Sequence, residues 1–300
     1  MTSPWQPERE VTVTEARQAV RACGLAADDV RIVAAGWDNT VVRVDDDWVF
    51  RFPRREIALP GIDREIALLS RLAPQLSLPI PVPEHVGVYG DPPWRFWGAR
   101  HLPGTELKVA GRTDEIGVAV GRSLGRFVAE LHALPADSSL PVDPFDRADA
   151  VSRAVRARDV LADLRAVGPG LDSLDDPEVE QVLAAGEATR HPPTETVLSH
   201  GDLYSRHVLV DENGATVAVI DWGDLCMAPR SVDLSVAYSA LTGPARDAFF
   251  AEYGPIDADT ELRARVMAIF SAASVAAYAR ELDDRILLAS AMTGLVLAAR

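Results

Sequence analysis

The stretch Val197 to Ala237, VLSHGDLYSRHVLVDENGATVAVIDWGDLCMAPRSVDLSVA, decides the fold of this chain. Two short apolar runs, 196–199 and 208–210, precede an Asn-Gly dipeptide at 213–214, and a β-branched run follows over 216–220. An Asn-Gly dipeptide between apolar runs is the strongest short-range signal of a β-hairpin. The stretch therefore predicts short strands joined by a tight turn, with polar residues at the strand ends.

Three potential proton or metal ligands lie at those strand ends. Asp202 precedes His207 by five residues and Asp221 by nineteen. A hairpin of this size brings the loop of Asp202 and His207 close to the strand end of Asp221. Phosphoryl transfer needs a carboxylate that takes the proton of the attacking hydroxyl and ligands that hold Mg²⁺ on the phosphates, and protein kinases use the same five-residue spacing. We therefore predict Asp202 as the catalytic base, with His207 and Asp221 as metal ligands.

The same residues have an alternative interpretation. His207 is then a loop histidine hydrogen-bonded to Asp202, and the two aspartates are carboxylates of solvated turns. An imidazole is a softer ligand than Mg²⁺ prefers, which weighs against His207 as a ligand. The apolar strands beside Asp202 and Asp221 weigh against solvated turns.

The motifs HGDLYSRHVLVD, VIDWGD and SVDLSVA resemble the aminoglycoside phosphotransferase family of antibiotic and small-molecule kinases, and the resemblance extends through most of the chain. The family usually has Asn where this chain has His207, and a His there is similar to the macrolide phosphotransferase branch. The resemblance further implies that Asp233 holds the active-site loop in a structural role. Asp224 is a possible additional metal or supporting group, and its role stays open.

The implied fold is α+β and protein-kinase-like, with two lobes. Residues 1–103 would form a nucleotide-binding N-lobe with a five-stranded antiparallel sheet and one main helix. Residues 104–300 would form a larger helical lobe that carries the catalytic loop and the acceptor site. ATP or GTP with Mg²⁺ would bind in the cleft.

Strands are predicted in the N-lobe at 31–35, 40–44, 48–52, 85–89 and 95–100. Gly36 lies in the first turn, and small glycine-containing turns bring amide groups close to phosphates, although an ordinary hairpin explains it equally well. Arg51 stands where the family has a phosphate-binding lysine, and a guanidinium can bind phosphate bidentately. We expect it to pair with Glu65 on the next helix, the alternative being a surface glutamate. Arg54 and Arg55 are expected to be exposed.

The segment His101-Leu-Pro-Gly104 is the predicted boundary between the lobes. The resemblance implies that it is the hinge, in which main-chain groups of Arg100 and Leu102 contact the purine edge. Because main-chain contacts leave no side-chain signature, the choice between ATP and GTP stays open.

Apolar residues at helical spacing predict helices over 14–23, 63–72, 117–132, 148–167, 172–189, 244–253, 259–281 and 283–300. Thr14 is the predicted cap of the first helix, and His132 is interpreted as a structural cap. The apolar run Ile286–Ala299 is predicted to be a buried core helix. Five acidic residues of the last helices are candidates for an acceptor pocket or for ordinary helix starts: Asp257, Asp259, Glu261, Asp283 and Asp284.

The composition limits the partners. The chain has 45 acidic and 30 basic residues and a net charge of −15. Such a field repels nucleic acid and anionic membranes and suits a cationic acceptor, although solubility alone explains it as well. Two distant cysteines make no disulfide framework, and the start MTSPWQPEREVTV has no basic-then-apolar signal. We expect a cytoplasmic protein, a monomer or weak homodimer, without a nucleic-acid or membrane partner.

These observations predict an NTP-dependent O-phosphotransferase that moves the γ-phosphate to a hydroxyl of a small molecule. A cationic antibiotic, either a macrolide or an aminoglycoside, is the preferred acceptor. Two alternatives remain open. One is a small-metabolite kinase for a sugar or amino alcohol, and the other is a nucleotide-binding pseudokinase that serves as a regulatory module.

Overall fold

The computed structural model describes residues 6–107, 114–166, 176–191, 193 and 195–300, with residues 114–116 described by their main chain alone. The chain divides into two compact units. The first comprises Met1–Pro103 and Ile220–Leu225, and the second comprises Gly104–Val219 and Cys226–Arg300. The segment that contains Asp221 therefore belongs by its contacts to the same unit as the N-terminal third of the chain.

The first unit contains an antiparallel sheet with strand order β1-β2-β3-β5-β4. Its elements are α1 (Val13–Ala22), β1 (Val30–Ala35), β2 (Asn39–Val44), β3 (Trp48–Pro53), α2 (Leu59–Leu72), β4 (His85–Tyr89) and β5 (Trp94–Arg100). The predicted antiparallel N-terminal sheet is thus confirmed. Phe52 and Phe96, on different strands, stack with ring centroids 4.4 Å apart in the core below α1.

Both helices of the first unit begin earlier than the sequence interpretation placed them. The cap of α1 is Thr12 and not Thr14, because the Thr12 hydroxyl accepts from the Glu15 amide and the Glu15 carboxylate reaches back to the Thr12 amide. Helix α2 begins at Leu59 instead of residue 63. A proline is tolerated in the first turn, where its missing N–H has no helical partner, so Pro60 does not delay the helix.

The second unit is mainly helical. Its helices are α3 (Asp114–Ala133), α4 (Ala150–Ala166), α5 (Pro177–Glu187), α6 (Ser231–Ala240), α7 (Gly243–Tyr253), α8 (Ala258–Glu281) and α9 (Arg285–Ala299). Its strands are β6 (Thr105–Glu106), β7 (Val197–Ser199), β8 (Val208–Val210), β9 (Thr216–Val219) and β10 (Cys226–Ala228), paired as β6-β8-β9 and β10-β7. The start of the helix predicted over 172–189 lies outside the described residues.

The predicted hairpin joins β8 and β9. The two strands pair antiparallel, from Val208 opposite Val219. The Asp211 carboxylate accepts from the amides of Asn213 and Ala215 at 2.9 and 2.8 Å, so the aspartate closes the Asn-Gly turn. The hairpin prediction is therefore confirmed.

Two apolar helices end the chain. Helix α8 is long and apolar enough to cross a membrane by length and composition, but 56% of its most apolar window is buried inside the protein, where it packs against α4, α6 and α9. A core helix meets the same criteria. The last helix, predicted as a buried core helix, packs into the core along one face: α9 buries Leu287 and Leu295 there, while Ile286 is 63% exposed.

Helices α3 and α7 approach each other along a line of glycines. A Cβ at Gly121 would overlap the main-chain carbonyl of Ala245, and one at Gly125 would overlap that of Phe249. A Cβ at Gly117, one turn earlier on α3, would make an ordinary contact at 3.5 Å with the Ala245 Cβ. The two later glycines are therefore required for the packing distance, and the first is not.

We predict that Gly121→Ala destabilises the protein by about 1–3 kcal/mol, because the added methyl group forces two packed backbones apart. Gly117→Ala is the matched control, and the alanine should be neutral or stabilise by up to about 1 kcal/mol through its helix propensity. Urea unfolding of both variants measures the difference. Equal stabilities for the two variants would contradict the close approach.

Candidate active site

Arg51 of β3 lies between two carboxylates in the first unit. Its Nη2 atom is 2.6 Å from Asp221 Oδ1, and its Nε is 3.6 Å from Glu65 Oε1. The Arg51 side chain is 11% exposed, Glu65 is fully buried and the Asp221 side chain is 42% exposed. The expected Arg51–Glu65 pair is therefore present, and Asp221 is a second partner of the same guanidinium.

Glu65 is held from α2 and by the sheet. The indole Nε1 of Trp97 donates to Glu65 Oε2 at 2.9 Å, and Trp97 lies directly opposite Arg51 on the neighbouring strand. The alternative of a surface glutamate is wrong, because the side chain is 0% exposed. Strand β5 lies between β3 and β4, and its sequence has apolar residues on both faces, as expected of an internal strand. This pattern is the sequence signal that could have indicated that Trp97 is buried.

The ionisation of this group follows from its burial. Burial raises the pKa of Glu65 to about 7, against the opposite influence of the Arg51 charge and the Trp97 hydrogen bond. Burial also opposes the charge of Arg51, but the carboxylates of Asp221 and Glu65 outweigh it and raise the Arg51 pKa. Arg51 is thus a permanent cation, whereas Glu65 changes its charge near neutral pH.

Helix α2 also fixes the segment that carries Asp221. Arg64 Nη2 donates to the Gly223 carbonyl at 2.8 Å, and a Cβ at Gly61 would lie 2.7 Å from the same oxygen. Asp221 itself has φ of 65°, in the left-handed region that few residues other than glycine adopt. Such backbone is retained where neighbouring contacts determine it, often at functional sites. Arg64 and Gly61 were not recognised from the sequence.

The turn of Gly36 joins β1 and β2. Its amide donates to the Asn39 carbonyl at 2.9 Å, and a Cβ at position 36 would meet only ordinary contacts. Arg54 Nη1 donates to the Gly36 carbonyl at 2.6 Å, and Arg55 pairs with Asp38. The expectation of exposed arginines is wrong, because the two side chains are 13% and 18% exposed. The phosphate-binding role of this turn stays a prediction.

The predicted hinge contacts involve main-chain groups of Arg100 and Leu102. Arg100 is opposite Trp48 of β3, and the next residue, His101, donates its amide to the Asp47 carbonyl at 2.7 Å. Because hydrogen-bonded and non-hydrogen-bonded pairs alternate, the N–H and C=O of Arg100 point away from β3. Leu102 lies beyond the end of β5 and is half-buried. The purine-binding roles of both residues stay predictions.

In the second unit, Asp202 and His207 lie together. His207 Nδ1 is 2.7 Å from the main-chain oxygen of Asp202 and 3.7 Å from its Oδ2 atom. A carbonyl only accepts, so Nδ1 carries the proton and the neutral imidazole has its lone pair on Nε2. The His207 side chain is 10% exposed and that of Asp202 is 44% exposed. The contact is the one that the loop-histidine interpretation requires, and Nε2 keeps the ligand interpretation open.

Asp233 of α6 fixes the loop before Asp202. Its two oxygens accept from the amides of His200 and Gly201 at 2.8 and 2.9 Å. Gly201 has φ of 86°, a left-handed conformation that favours glycine. Burial opposes the charge of Asp233, but the hydrogen bond and charge of His132 outweigh it, with help from the Gly201 amide, and lower the Asp233 pKa.

His132 is not a helix cap. Its Nε2 atom is 3.3 Å from Asp233 Oδ2, and its Nδ1 is 2.9 Å from the hydroxyl of Tyr253. The side chain therefore links α3 and α7 to the aspartate that holds the loop. Tyr253, which was not singled out from the sequence, completes this buried chain of hydrogen bonds.

Four of the five acidic residues proposed for an acceptor pocket have local partners. Asp257 and Asp284 cap helices α8 and α9 by accepting from the amides of Thr260 and Leu287. Asp259 pairs with Arg263 at 2.7 Å, and Glu261 lies 3.8 Å from Arg265. The helix-start interpretation therefore explains the two caps, and intrahelical pairing explains Asp259 and Glu261.

The predicted magnesium ligands differ in their chemistry. Asp221 offers the carboxylate oxygens that Mg²⁺ prefers, whereas His207 offers a softer nitrogen. Within the described ranges, no group of three or more His, Cys, Asp or Glu side chains could hold a metal ion by itself. Mg²⁺ commonly binds one or two carboxylates and completes its shell with water and phosphate oxygens. Asp221 therefore fits the ion, and His207 fits it poorly.

Solved structures identify the class of fold. The chain matches the GDP and kanamycin complex of APH(2")-IIia with a TM-score of 0.69 and 19% identity, over 95% of this chain and 97% of that one. It matches macrolide 2'-phosphotransferase MphH from Brachybacterium faecium, an apoenzyme, with a TM-score of 0.58 and 25% identity, over 94% and 97% of the two chains. The fold class predicted from the sequence is confirmed.

The family model described as the phosphotransferase enzyme family (APH) matches residues 29–269. The chain belongs to this family, which confirms the resemblance. The aminoglycoside 3'-phosphotransferase of Streptomyces fradiae is 31% identical in an alignment of 159 residues, and the match covers 48% of this chain and 55% of that enzyme. The match thus spans about half the length of this curated relative.

We predict that Asp233→Asn lowers the free energy of unfolding by about 2–4 kcal/mol at neutral pH, because an amide NH₂ replaces an oxygen that accepts from a buried N–H. Asp257→Asn is the control, since Asn is an equally good helix cap, and it should change little. Because the Asp233 pKa is lowered, its stabilisation is lost as the pH falls through that value. The deficit measured by urea unfolding should therefore shrink in acid, and a deficit independent of pH would contradict the ionised assignment.

A second prediction concerns Glu65, whose pKa is about 7 in the folded protein and near the ordinary 4.5 when unfolded. Between these values the folded state holds the proton more tightly, so the stability contributed by Glu65 falls as the pH rises. The free energy of unfolding of wild type minus that of Glu65→Gln should fall by about 3 kcal/mol from pH 4.5 to 7.5. Urea titrations measure it, with Glu212→Gln on the exposed β8–β9 turn as control. A difference that rises with pH would show that the buried carboxylate favours its charged form.

Proposed function

We propose that this protein transfers the γ-phosphate of ATP or GTP to a hydroxyl group of a small molecule. The observation that carries the proposal is the placement of Arg51, a buried cation held by Glu65 and paired with the partly exposed Asp221. A fixed cation beside an accessible carboxylate supplies the two groups that a magnesium-bound triphosphate requires. Membership of the phosphotransferase enzyme family supports the same reaction.

In this proposal the N-lobe, residues 1–103, binds the nucleotide. Arg51 steadies the α- and β-phosphates, and Glu65 orients Arg51. The amide groups of the Gly36 turn lie near the phosphates, and main-chain groups of Arg100 and Leu102 contact the purine. The N–H and C=O of Arg100 point away from β3 and are therefore not used by the β3–β5 pairing.

Residues 104–300 carry the catalytic loop and the acceptor site. Asp202 orients the acceptor hydroxyl and takes its proton at the carboxylate, which is 44% exposed. Asp233 holds the loop before it through two main-chain amides. Preorganisation of this kind reduces the entropy lost in aligning the hydroxyl with the phosphate.

Asp221 and His207 are the proposed ligands of Mg²⁺, and the bound ion would neutralise charge on the β- and γ-phosphates. Asp221 fits this role by its oxygen donors. His207 contributes Nε2, and its Nδ1 keeps the imidazole fixed on the Asp202 carbonyl. Asp224 is half-buried in the same segment as Asp221 and is a candidate for a supporting role.

The acceptor class follows from charge and relatives. A net charge of −15 favours a cationic acceptor over an anionic one. Structural relatives include a kanamycin complex and a macrolide phosphotransferase. We therefore propose an aminoglycoside or macrolide antibiotic as the acceptor. A cytoplasmic location fits the two free cysteines, Cys23 and Cys226.

One observation favours a function without turnover. His207 replaces the amide ligand that the family usually has, and its Nδ1 is bonded to the main chain of its own loop. A nucleotide-binding regulatory module would need Arg51 and the main-chain contacts but no second metal ligand. A small-metabolite kinase would keep all of these residues and differ in the acceptor alone.

We predict that Asp202→Ala lowers turnover by about 10²-fold or more while nucleotide binding is kept, because only the proton acceptor is removed. Turnover is measured with ATP or GTP plus Mg²⁺ over a panel of kanamycin, erythromycin, sugars and amino alcohols. Calorimetry measures nucleotide binding, and Glu212→Ala, on an exposed turn, is the control. Nucleotide binding without turnover on any acceptor would favour the regulatory module. Loss of binding together with activity would contradict the role of Asp202.

A further inference from the structure

Trp97 of β5 is buried beside the Arg51–Glu65 pair. Trp97 is 1% exposed, and it lies directly opposite Arg51 on the neighbouring strand. The indole Nε1 donates to Glu65 Oε2 at 2.9 Å, and the guanidinium carbon of Arg51 is 5.9 Å from the ring centroid. One indole thus contacts the carboxylate directly and lies at the outer limit of cation–π distance from the cation.

The hydrogen bond from Trp97 matters because Glu65 has little other support. Glu65 Oε1 is buried and has no hydrogen-bond donor in the described part of the chain. Its ion pair with Arg51 Nε, at 3.6 Å, is longer than a hydrogen bond, and that Nε atom also has no acceptor there. Among the described residues, the indole N–H is therefore the one side-chain donor that holds the Glu65 carboxylate by a hydrogen bond.

The orientation of the Glu65 carboxylate decides the position of Arg51. The terminal torsion of a glutamate is broad, so a carboxylate without a fixed oxygen rotates easily. With Oε2 held by Trp97, Oε1 faces the Arg51 guanidinium. Without that bond, the Glu65 side of the pair is weakened and the shorter contact with Asp221, at 2.6 Å, dominates. Arg51 would then be drawn toward the carboxylate that is needed for the metal.

We propose that Trp97 is a positioning residue that holds Glu65, and through Glu65 holds Arg51, in the arrangement that receives the nucleotide phosphates. This inference rests on the proposed nucleotide-dependent function. It gives a specific role to a residue that otherwise counts as one more buried aromatic side chain. The indole nitrogen is the atom that distinguishes this role from packing.

Trp94 provides the matched comparison. It lies three residues earlier on the same strand, so its side chain is on the opposite face of the sheet, in the core cluster below α1. It is 9% exposed, and its ring is covered by the guanidinium of Arg9. The same substitution at Trp94 therefore removes a similar volume of buried ring without touching Glu65.

The test is Trp97→Phe against Trp94→Phe, with nucleotide affinity measured by calorimetry for ATP and for GTP, each with Mg²⁺. Measured above pH 7, where Glu65 is ionised, Trp97→Phe should raise the nucleotide Kd about tenfold, since a hydrogen bond to a charged group is lost. Trp94→Phe should change it by less than about twofold. In turnover assays the nucleotide KM should rise and the acceptor KM should not. Equal nucleotide affinities for the two variants would overturn the proposal.

A double-mutant cycle locates the action of Trp97. In a Glu65→Ala background, Trp97→Phe should change the Kd by less than about twofold, because the group through which it acts is absent. A full tenfold effect in that background would show that Trp97 acts elsewhere. Wild-type protein that binds neither ATP nor GTP would refute the proposed function itself, which separates that outcome from failure of this inference.

If Trp97→Phe fails to fold, a variant that changes only the indole nitrogen tests the same proposal. Benzothienylalanine at position 97 replaces the indole N–H by sulfur and keeps the two-ring shape. It should fold like the wild type and still weaken nucleotide binding about tenfold. Wild-type affinity in this variant would overturn the proposal, whatever the stability of Trp97→Phe.

Discussion

The first unit depends on a buried guanidinium that is held between two carboxylates. A buried cation is costly unless charged partners surround it, and Arg51 has Glu65 on α2 and Asp221 in the 220–225 segment. The two carboxylates come from parts of the chain more than 150 residues apart. Their convergence on one arginine therefore joins β3, α2 and the distant segment into a single arrangement.

Helix α2 has a larger part in this arrangement than its length suggests. It supplies Glu65 to Arg51, Arg64 donates to the carbonyl of Gly223, and the absence of a side chain at Gly61 leaves space for that carbonyl. In the second unit a buried negative charge has a similar role, because the Asp233 carboxylate accepts hydrogen bonds from the amides of two loop residues. In each unit, one buried charge holds a loop segment in place. The groups proposed for catalysis are then presented on loops that are anchored by helices and strands.

Local patterns predicted much of this structure from the sequence. The Asn-Gly turn predicted the β8–β9 hairpin, and the family resemblance implied the antiparallel sheet. The Thr12 capping box is also visible in the sequence, as Thr-Val-Thr-Glu, although the predicted cap was Thr14. The contacts of Trp97 and His132 were not predictable, because each joins residues that only the tertiary fold brings together. The partial burial of Arg54 and Arg55 was not predicted either, because charged side chains are usually exposed.

The choice of arginine at position 51 accounts for the geometry around it. A lysine ammonium is a compact point charge, whereas a guanidinium presents donors in a planar fork. Nη2 can therefore bond Asp221 while Nε faces Glu65. A fork is useful only if its plane is fixed. The buried carboxylate of Glu65, itself fixed by an indole, provides that orientation, so the arginine and its supporting residues form one unit in which a lysine would not be an equivalent substitute.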